Sequence, residues 1–217
     1  MSLFTPAPMP ARGAKDQLFE IQRNDFLAPE ARGRMGGVTA GFPLWITTIT
    51  IGTLTVAQSD AWRAFVAAQR GAQRWFYGFE IGRQMPRNYF GGFPSGFSGA
   101  AAGWSQALDA SGFVILTLTG LPPSLALTTG DYVDFRWGTF QRALVRLMEP
   151  ASADSSGNLH ATIEPAVPVV VPSNAIAHLD NPACLMKLNP QTTKLGPIGR
   201  RGAIESGTVE AVQDIVP

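Results

Sequence analysis

The run Leu44-Trp45-Ile46-Thr47-Thr48-Ile49-Thr50-Ile51-Gly52-Thr53-Leu54-Thr55-Val56 decides the fold class. Nearly all of it is β-branched or aromatic, the residue types that fit a pleated, half-buried backbone. Trp45, Thr47, Ile49 and Ile51 share one face, but after Gly52 the apolar phase moves to Leu54 and Val56. A slip of phase at a glycine predicts a bulge or sharp bend there. Upstream, Gln17–Phe26 reads as a strand around Leu18-Phe19-Glu20-Ile21, and the glycine-bearing stretch 31–37 reads as turn. Downstream, Ser59 and Asp60 give a helix start signal. Trp62, Phe65, Val66 and Gln69 follow at helical spacing, and Gly71 stands at the C-terminal cap position. A single helix over about 59–71 is expected to lie with one apolar face on a sheet. Trp75–Phe79 returns to strand.

Residues 83–111 read as a long loop carrying Tyr89, Phe90, Phe93, Phe97 and Trp104, with almost no charge after Arg87. Loops of this length are usually functional, and exposed aromatics on one are costly unless they cover a core or dock on a partner. Docking is the favoured reading. Beyond the loop the pattern is all-β. Strands are expected at Phe113–Thr119, Tyr132–Trp137, Gln141–Glu149, 159–164, Val167–Val171 and Ala183–Leu188, with a hairpin connection at 154–158. The fold class expected is therefore mainly β, a barrel- or sandwich-like core with one flanking helix. Its core candidates are Trp45, Ile49, Trp62, Phe65, Val133, Phe135 and Trp137. Residues 16–190 are expected as one domain. The Pro-rich start through residue 15, with Pro6, Pro8 and Pro10, and the polar stretch 191–217 are expected as terminal arms held by neighbouring subunits.

Composition agrees with a covered subunit. The 217 residues carry 17 Lys+Arg against 16 Asp+Glu, a formal net charge of +1, and only 15% are charged, against about 25% in ordinary soluble domains. A dispersed monomer needs a charged skin, whereas a subunit hidden in an assembly does not. The near-zero charge also disfavours a dedicated nucleic-acid binder. No run of 18 apolar residues is present to span a membrane as a helix. The N-terminal stretch lacks a basic start followed by an apolar run, so no secretion signal is expected and folding in a cytoplasm is.

Chemical motifs are scarce. There is neither a phosphate-binding glycine loop nor a dinucleotide fingerprint. Ser95 and Ser98 lie among glycines without the spacing of a nucleophile elbow, and read as loop polar residues. Cys184 and His178 have the types of a nucleophile and base, yet Asp180-Asn181-Pro182 separates them, and a buried structural cysteine is the better reading. With one cysteine and two histidines, His160 and His178, neither a disulfide nor a cysteine-based zinc site is available. Asp131 and Asp134 would face opposite sides of a strand, and Asp154-Ser155-Ser156-Gly157-Asn158 resembles a calcium loop in composition only. An enzyme reading would rest on converging carboxylates among Glu149, Glu164, Asp131 and Asp134. The expectation is no catalytic residue, no cofactor and no metal. Lysines occur only at 15, 187 and 194, so the basic side chains are mostly arginine, the cation suited to interfaces.

The order of features resembles the tail-tip proteins of long-tailed bacteriophages and phage-like gene-transfer particles. The resemblance runs over roughly 17–190. It rests on Phe19-Glu20-Ile21, Gly37…Gly41-Phe42-Pro43-Leu44-Trp45, Asp60-Ala61-Trp62-Arg63-Ala64-Phe65, Arg70-Gly71 and Trp75–Phe79. Further on it uses Gly130-Asp131-Tyr132, Leu144–Leu147, Asp154…Gly157 and Ile163-Glu164-Pro165. Within that group the chain is most similar to the distal tail protein family. The resemblance implies a β-barrel-like tube domain and a virion structural protein at the tail tip. It also implies a ring, commonly a hexamer, that joins the tail tube protein to the baseplate hub protein and lets the genome pass without gripping it. Another tail-tube or minor tail protein, or a carbohydrate- or receptor-binding module, is the alternative. The subunit-interface candidates are Pro6, Pro8, Tyr89, Phe90, Phe93, Phe97, Trp104, Arg200 and Arg201.

Overall fold

Period-two burial along Leu44–Ile51, where Trp45, Thr47, Ile49 and Ile51 are buried and their neighbours are not, makes this segment a strand with one face turned inward. In the computed structural model, which describes residues 5–29, 35–200 and 203–216, that strand sits inside a larger sheet. In chain order the strands are β1 (Ala7–Pro8), β2 (Ala14–Gln22), β3 (Asp25–Pro29), β4 (Met35–Thr39) and β5 (Leu44–Ile51). Helix α1 (Val56–Ala68) and β6 (Phe76–Gly78) follow. A turn of 3-10 helix at Arg87–Tyr89 then leads to β7 (Gly103–Leu108), β8 (Val114–Thr119), β9 (Ala126–Leu127), β10 (Tyr132–Trp137) and β11 (Gln141–Leu147). After them come β12 (Ala151–Ser152), β13 (Leu159–Glu164), β14 (Ile176–His178), β15 (Cys184–Leu188), β16 (Lys194–Leu195) and β17 (Gly207–Gln213). The protein is mainly β, with one α-helix among the described residues.

Two curled sheets carry two cores. The first sheet has the order β1-β6-β15-β17-β5-β2, with β16 paired to β17. Its inner face holds Phe19, Trp45, Ile49, Ile51, Phe76, Met186 and Val209, covered at one end by Trp62 and Phe65 of the helix. The second has the order β14-β10-β11-β13-β8-β7 and curls until its outer strands approach. Ala100 bridges His178, the Ala101 N–H donates to the Ala177 carbonyl at 2.8 Å, and Trp104 Nε1 donates to the Ala175 carbonyl at 2.9 Å. Leu116, Leu118, Val133, Phe135, Val145, Leu147 and Ile163 fill this near-barrel. Alternation along β10 and β11 joins the cores: Val133, Phe135 and Val145 point into the barrel, while Tyr132 and Leu144 point at the first sheet. There Phe19 stacks on Trp45 at 5.1 Å, Tyr132 meets Trp45 edge-on at 5.5 Å, and Trp45 Nε1 donates to the Leu144 carbonyl at 2.8 Å.

Of the expected core residues, Trp45, Ile49, Trp62, Phe65, Val133 and Phe135 are buried, whereas Trp137 is only partly covered at the rim of the barrel core. The phase slip at Gly52 is the end of a strand, and the helix starts earlier than Ser59. Thr55 caps it: its Oγ1 accepts from the Gln58 N–H at 3.3 Å, and Gln58 Oε1 accepts from the Thr55 N–H at 2.9 Å. That reciprocal pair, worth about 1 kcal/mol in comparable helices, takes Val56 out of the strand run. Arg70 and Gly71 both have positive φ, 49° and 72°, where the chain leaves the helix.

Four expectations need correction. The C-terminal segment 191–217 is not an arm, because β17 lies between β15 and β5, with Val209 and Ala211 buried. The N-terminal stretch is tied to its own chain: Ala7 and Pro8 pair with Phe76 and Tyr77, Met9 is buried, and Ala14–Gln22 is a strand. The loop 83–111 is shorter than expected, since Gly103–Leu108 pairs with β8. Val167–Val171 is not a strand but a turn closed by the Val171 N–H on the Pro168 carbonyl at 2.9 Å, as a proline without an N–H favours.

Candidate subunit interface

A further correction concerns the stretch 31–37, read as turn, of which 35–37 are among the described residues. Met35-Gly36-Gly37 belong to β4, which pairs with β3 from Asp25↔Thr39 to Pro29↔Met35. Among the described residues these two strands form no other pairing. They continue the β2–β5 ribbon past the body, with the Ala40 N–H donating to the Asn24 carbonyl at 2.8 Å at the junction. The result is a projecting arm. Register puts Phe26 opposite Val38 on one face, and Leu27 with Pro29 and Met35 on the other. All four large side chains are exposed, at 66%, 69%, 70% and 63% for Phe26, Val38, Leu27 and Met35. A lone two-stranded hairpin is marginal in water, and an apolar one with free edges invites pairing or covering. Tip residues 30–34 lie outside the described residues.

The expected interface residues behave differently. Tyr89, Phe93, Phe97 and Trp104 pack against the barrel core, with Tyr89–Phe93 and Phe93–Phe97 ring centroids 5.5 and 5.1 Å apart. The Tyr89 hydroxyl accepts from the Ala126 N–H at 2.9 Å. These aromatics lie back on their own domain and are partly buried there. Only Phe90 of the set is well exposed. Pro6 is buried in its own chain, Pro8 is exposed on the first sheet's edge, Arg200 is exposed at a turn, and Arg201 lies outside the described residues.

The side chains with catalytic types have structural occupations. Cys184 is buried in the first sheet's core, where burial and the nearby Asp134 carboxylate push its thiol far above the ordinary range. His178 bonds Asp180 at 2.9 Å, and burial lowers its pKa. Asp131 accepts from the Thr128 N–H and hydroxyl, the Arg87 N–H and Arg83 Nη1, at 2.7 to 3.2 Å. Asp134 meets a separate set, Arg136 Nε at 3.0 Å and Arg142 Nη1 at 3.2 Å, so the two carboxylates do not converge. Glu164 pairs with Arg23, and Glu149 accepts from Thr162. Asp154 folds a turn, accepting from the Asn158 and Ser156 N–H groups at 2.9 and 2.8 Å, and the first of these leads in lowering its pKa. His160 bonds the Thr117 hydroxyl at 2.9 Å, and Ser95 and Ser98 are exposed loop residues.

Asp134 is a carboxyl held well away from its ordinary range. It is fully buried on the face of β10 that meets the first sheet, and burial pushes its carboxyl up to about 7 despite Arg136 and Arg142. Arg142 in turn lies 4.2 Å over the Tyr77 ring, at a cleft of about 410 Å³ that also involves Phe79 and Asn181. The cluster clamps barrel to sheet. Among the described residues no group of three or more His, Cys, Asp or Glu is placed to hold a metal, and no helix is long and apolar enough to cross a membrane.

No family model matches the chain, and no curated protein matches it in sequence.

Proposed function

We propose that this protein is a structural subunit that assembles with copies of itself into a ring of the distal-tail-protein kind. The ring joins a phage-type tail tube to the baseplate hub and leaves a channel through which the genome passes ungripped. The arm of β3 and β4 carries the reading. Its two faces are both apolar and both uncovered, and burying one against the parent body would still leave the other in water. An element of that kind is stable when a second subunit receives it. The curled, mainly-β body and the net charge of +1 support a passive annulus rather than a nucleic-acid clamp.

The test is the double variant Phe26→Ser/Val38→Ser, compared with the parent by light scattering over a range of concentrations and by electron microscopy. Both residues are exposed, so stability of the folded chain should hold to within about 0.5 kcal/mol. Assembly should weaken by about 2–4 kcal/mol, on the order of a hundredfold, because two largely exposed apolar side chains lose their burial. The parent should form closed annuli with a central hole wide enough for duplex DNA. A parent that stays monomeric at every concentration, or that forms rings unaffected by the double variant, refutes the reading or the arm's part in it, respectively.

A further inference from the structure

The cleft at Arg142 lies where the two sheets meet, and no residue of the arm lines it. At about 410 Å³ it falls within the ordinary span of small-molecule sites, about 300–1,000 Å³. Period two along Phe76–Gly78 buries Phe76 and Gly78 and turns Tyr77 outward. Tyr77, Phe79 and Pro8, whose strand pairs with β6, give the cleft an apolar wall. From the second sheet β11 sends in Arg142, the one charged side chain among the described residues of the lining. Its guanidinium sits 4.2 Å from the centroid of the Tyr77 ring. Nη1 donates to Asp134 at 3.2 Å, and the other N–H groups of Arg142 have no acceptor among the described residues. Asp134 also takes Arg136 Nε at 3.0 Å, so one carboxyl faces two guanidiniums. Burial pushes that carboxyl up to about 7, which reduces its negative charge near neutrality. Asp180 is engaged by His178 at 2.9 Å and by Arg136. Arg142 therefore keeps positive charge and spare donors beside an apolar wall. The Asn181 N–H donates to the Gln84 carbonyl at 2.8 Å, which brings two side-chain amides to the same cleft. Neither amide has a hydrogen-bond partner among the described residues.

We propose that this cleft binds a small organic acid with a flat apolar body. The carboxylate pairs with Arg142, whose planar fork suits two carboxylate oxygens. The amides of Gln84 and Asn181 donate to its remaining lone pairs, and the body lies against Phe79 and Pro8. An apolar wall with a few convergent polar groups is how small-molecule sites fix both affinity and orientation. A cationic occupant would meet Arg142 with like charge. A purely apolar one would take the guanidinium and both amides out of water unpaired, which is costly. A bare inorganic anion would leave the apolar wall unused. Because β6 and β11 belong to different sheets, an occupant touches both sides of the joint that Asp134 clamps. Binding here is independent of the ring assembly proposed above.

The probe is naphthoate, with naphthamide as its neutral twin. Binding to the full-length chain is read by saturation-transfer NMR on the probe, a signal that survives whatever size the chain assembles to. Naphthoate should bind, and naphthamide should bind on the order of tenfold more weakly, since hydrogen bonds to an ionised acceptor are about twice as strong as neutral ones. Arg142→Gln should weaken naphthoate by about ten- to a hundredfold. Arg142 also holds Asp134, so a second variant spares the clamp. Asn181 is exposed and has φ of 46°, a conformation that glycine adopts without strain. Asn181→Gly therefore keeps the fold and removes one amide, and naphthoate should weaken by about two- to tenfold. Absence of naphthoate binding, equal binding of acid and amide, or affinity unchanged in both variants would each overturn the assignment. Ring formation, followed by light scattering, is a separate readout that none of these outcomes alters.

Discussion

Replacing Asp134 by Asn tests how the two sheets are clamped together. The carboxyl is fully buried and pushed up to about 7 from an ordinary 3.8, burial outweighing the Arg136 and Arg142 guanidiniums. A raised acid pKa means that the folded chain holds the proton more tightly than the unfolded chain does. Below about pH 4 both states are protonated, and this group's contribution to stability is at its fullest. Between about pH 4 and pH 7 the unfolded chain ionises while the folded chain resists, so that contribution drains away as pH rises and is gone above about pH 7. A displacement of about three in pKa, at about 1.4 kcal/mol for each, makes the loss on the order of 4 kcal/mol. Asparagine fills the same space and does not titrate. Urea midpoints followed by tryptophan fluorescence, for parent and Asp134→Asn at pH values from about 4 to 8, give the difference in unfolding free energy. That difference should move in favour of Asn by on the order of 4 kcal/mol as pH rises. Slopes from Asp154 and Asp214 cancel in it, because both chains carry them. His178 pairs with Asp134 across β10 and β14 and shares Arg136 and Asp180 with it, so the comparison is made with His178→Gln in both chains. A flat difference would mean that the two arginines keep Asp134 ionised throughout and that burial is the smaller effect, contrary to the reasoning here.

Phe135→Ala removes a fully buried ring that meets Trp104 at 4.7 Å inside the barrel; unfolding by denaturant should show a loss of about 3–5 kcal/mol. Gly157→Ala should cost more than 1 kcal/mol in the same assay. The glycine has φ of 81°, and an added Cβ would lie 2.4 Å from the Leu121 carbonyl oxygen, a backbone atom that cannot swing aside. Cys184 should stay unreactive toward a thiol reagent in native buffer and react only at the rate of unfolding, since its thiol is buried and pushed up in pKa. Rapid labelling of the folded chain would contradict that placement.

The parts of the fold that were legible in the sequence are those where one strong period dominates. Leu44–Ile51 alternates β-branched and aromatic residues, and Trp62, Phe65 and Val66 recur at helical spacing, so both elements and their buried faces could be read. What escaped has a physical cause in each case. In β17 the inward residues are Val209, Ala211 and Gln213, a weak apolar signal that becomes a central strand only because β15 and β5 supply the hydrophobic neighbours. The helix start was masked because Thr55 and Val56 suit a strand as well as a cap, and only Gln58 three residues after Thr55 distinguishes them. For the aromatic loop, the sequence could not choose between partner and parent core, because the choice depends on Ala126 and Ala175 carrying backbone groups within reach of Tyr89 and Trp104. The arm was hidden by Gly36 and Gly37, which read as turn. In a ribbon that no other strand flanks among the described residues, glycines opposite Leu27 and Ala28 leave room on each face in turn for a partner's side chains.

Low charge was the sequence's reason for expecting covered surfaces, and the structure sharpens that reason by location. Much of the small complement of charge is used internally: Arg23 with Glu164, Arg83 with Asp131, Arg136 and Arg142 with Asp134, Arg146 with Glu20, and Lys187 with Asp214. Exposed apolar side chains are common on any protein and, scattered singly, need no explanation. Leu18, Val56, Phe90, Ile176 and Ile198 stand apart in this way, but the rest are grouped. Phe26, Leu27, Met35 and Val38 are on the arm, Phe113 and Met148 line a hollow beside β7–β8, and Phe42, Leu108 and Val169 line a second hollow of about 340 Å³ on the other side of that hairpin. Clustering on one projecting element and at one end of the barrel is what separates a surface awaiting its partner from an ordinary surface of the same average hydropathy. It also places the test: charge added on the helix face, at Ala57 or Ala61, should leave assembly intact, whereas one charge on the arm should not.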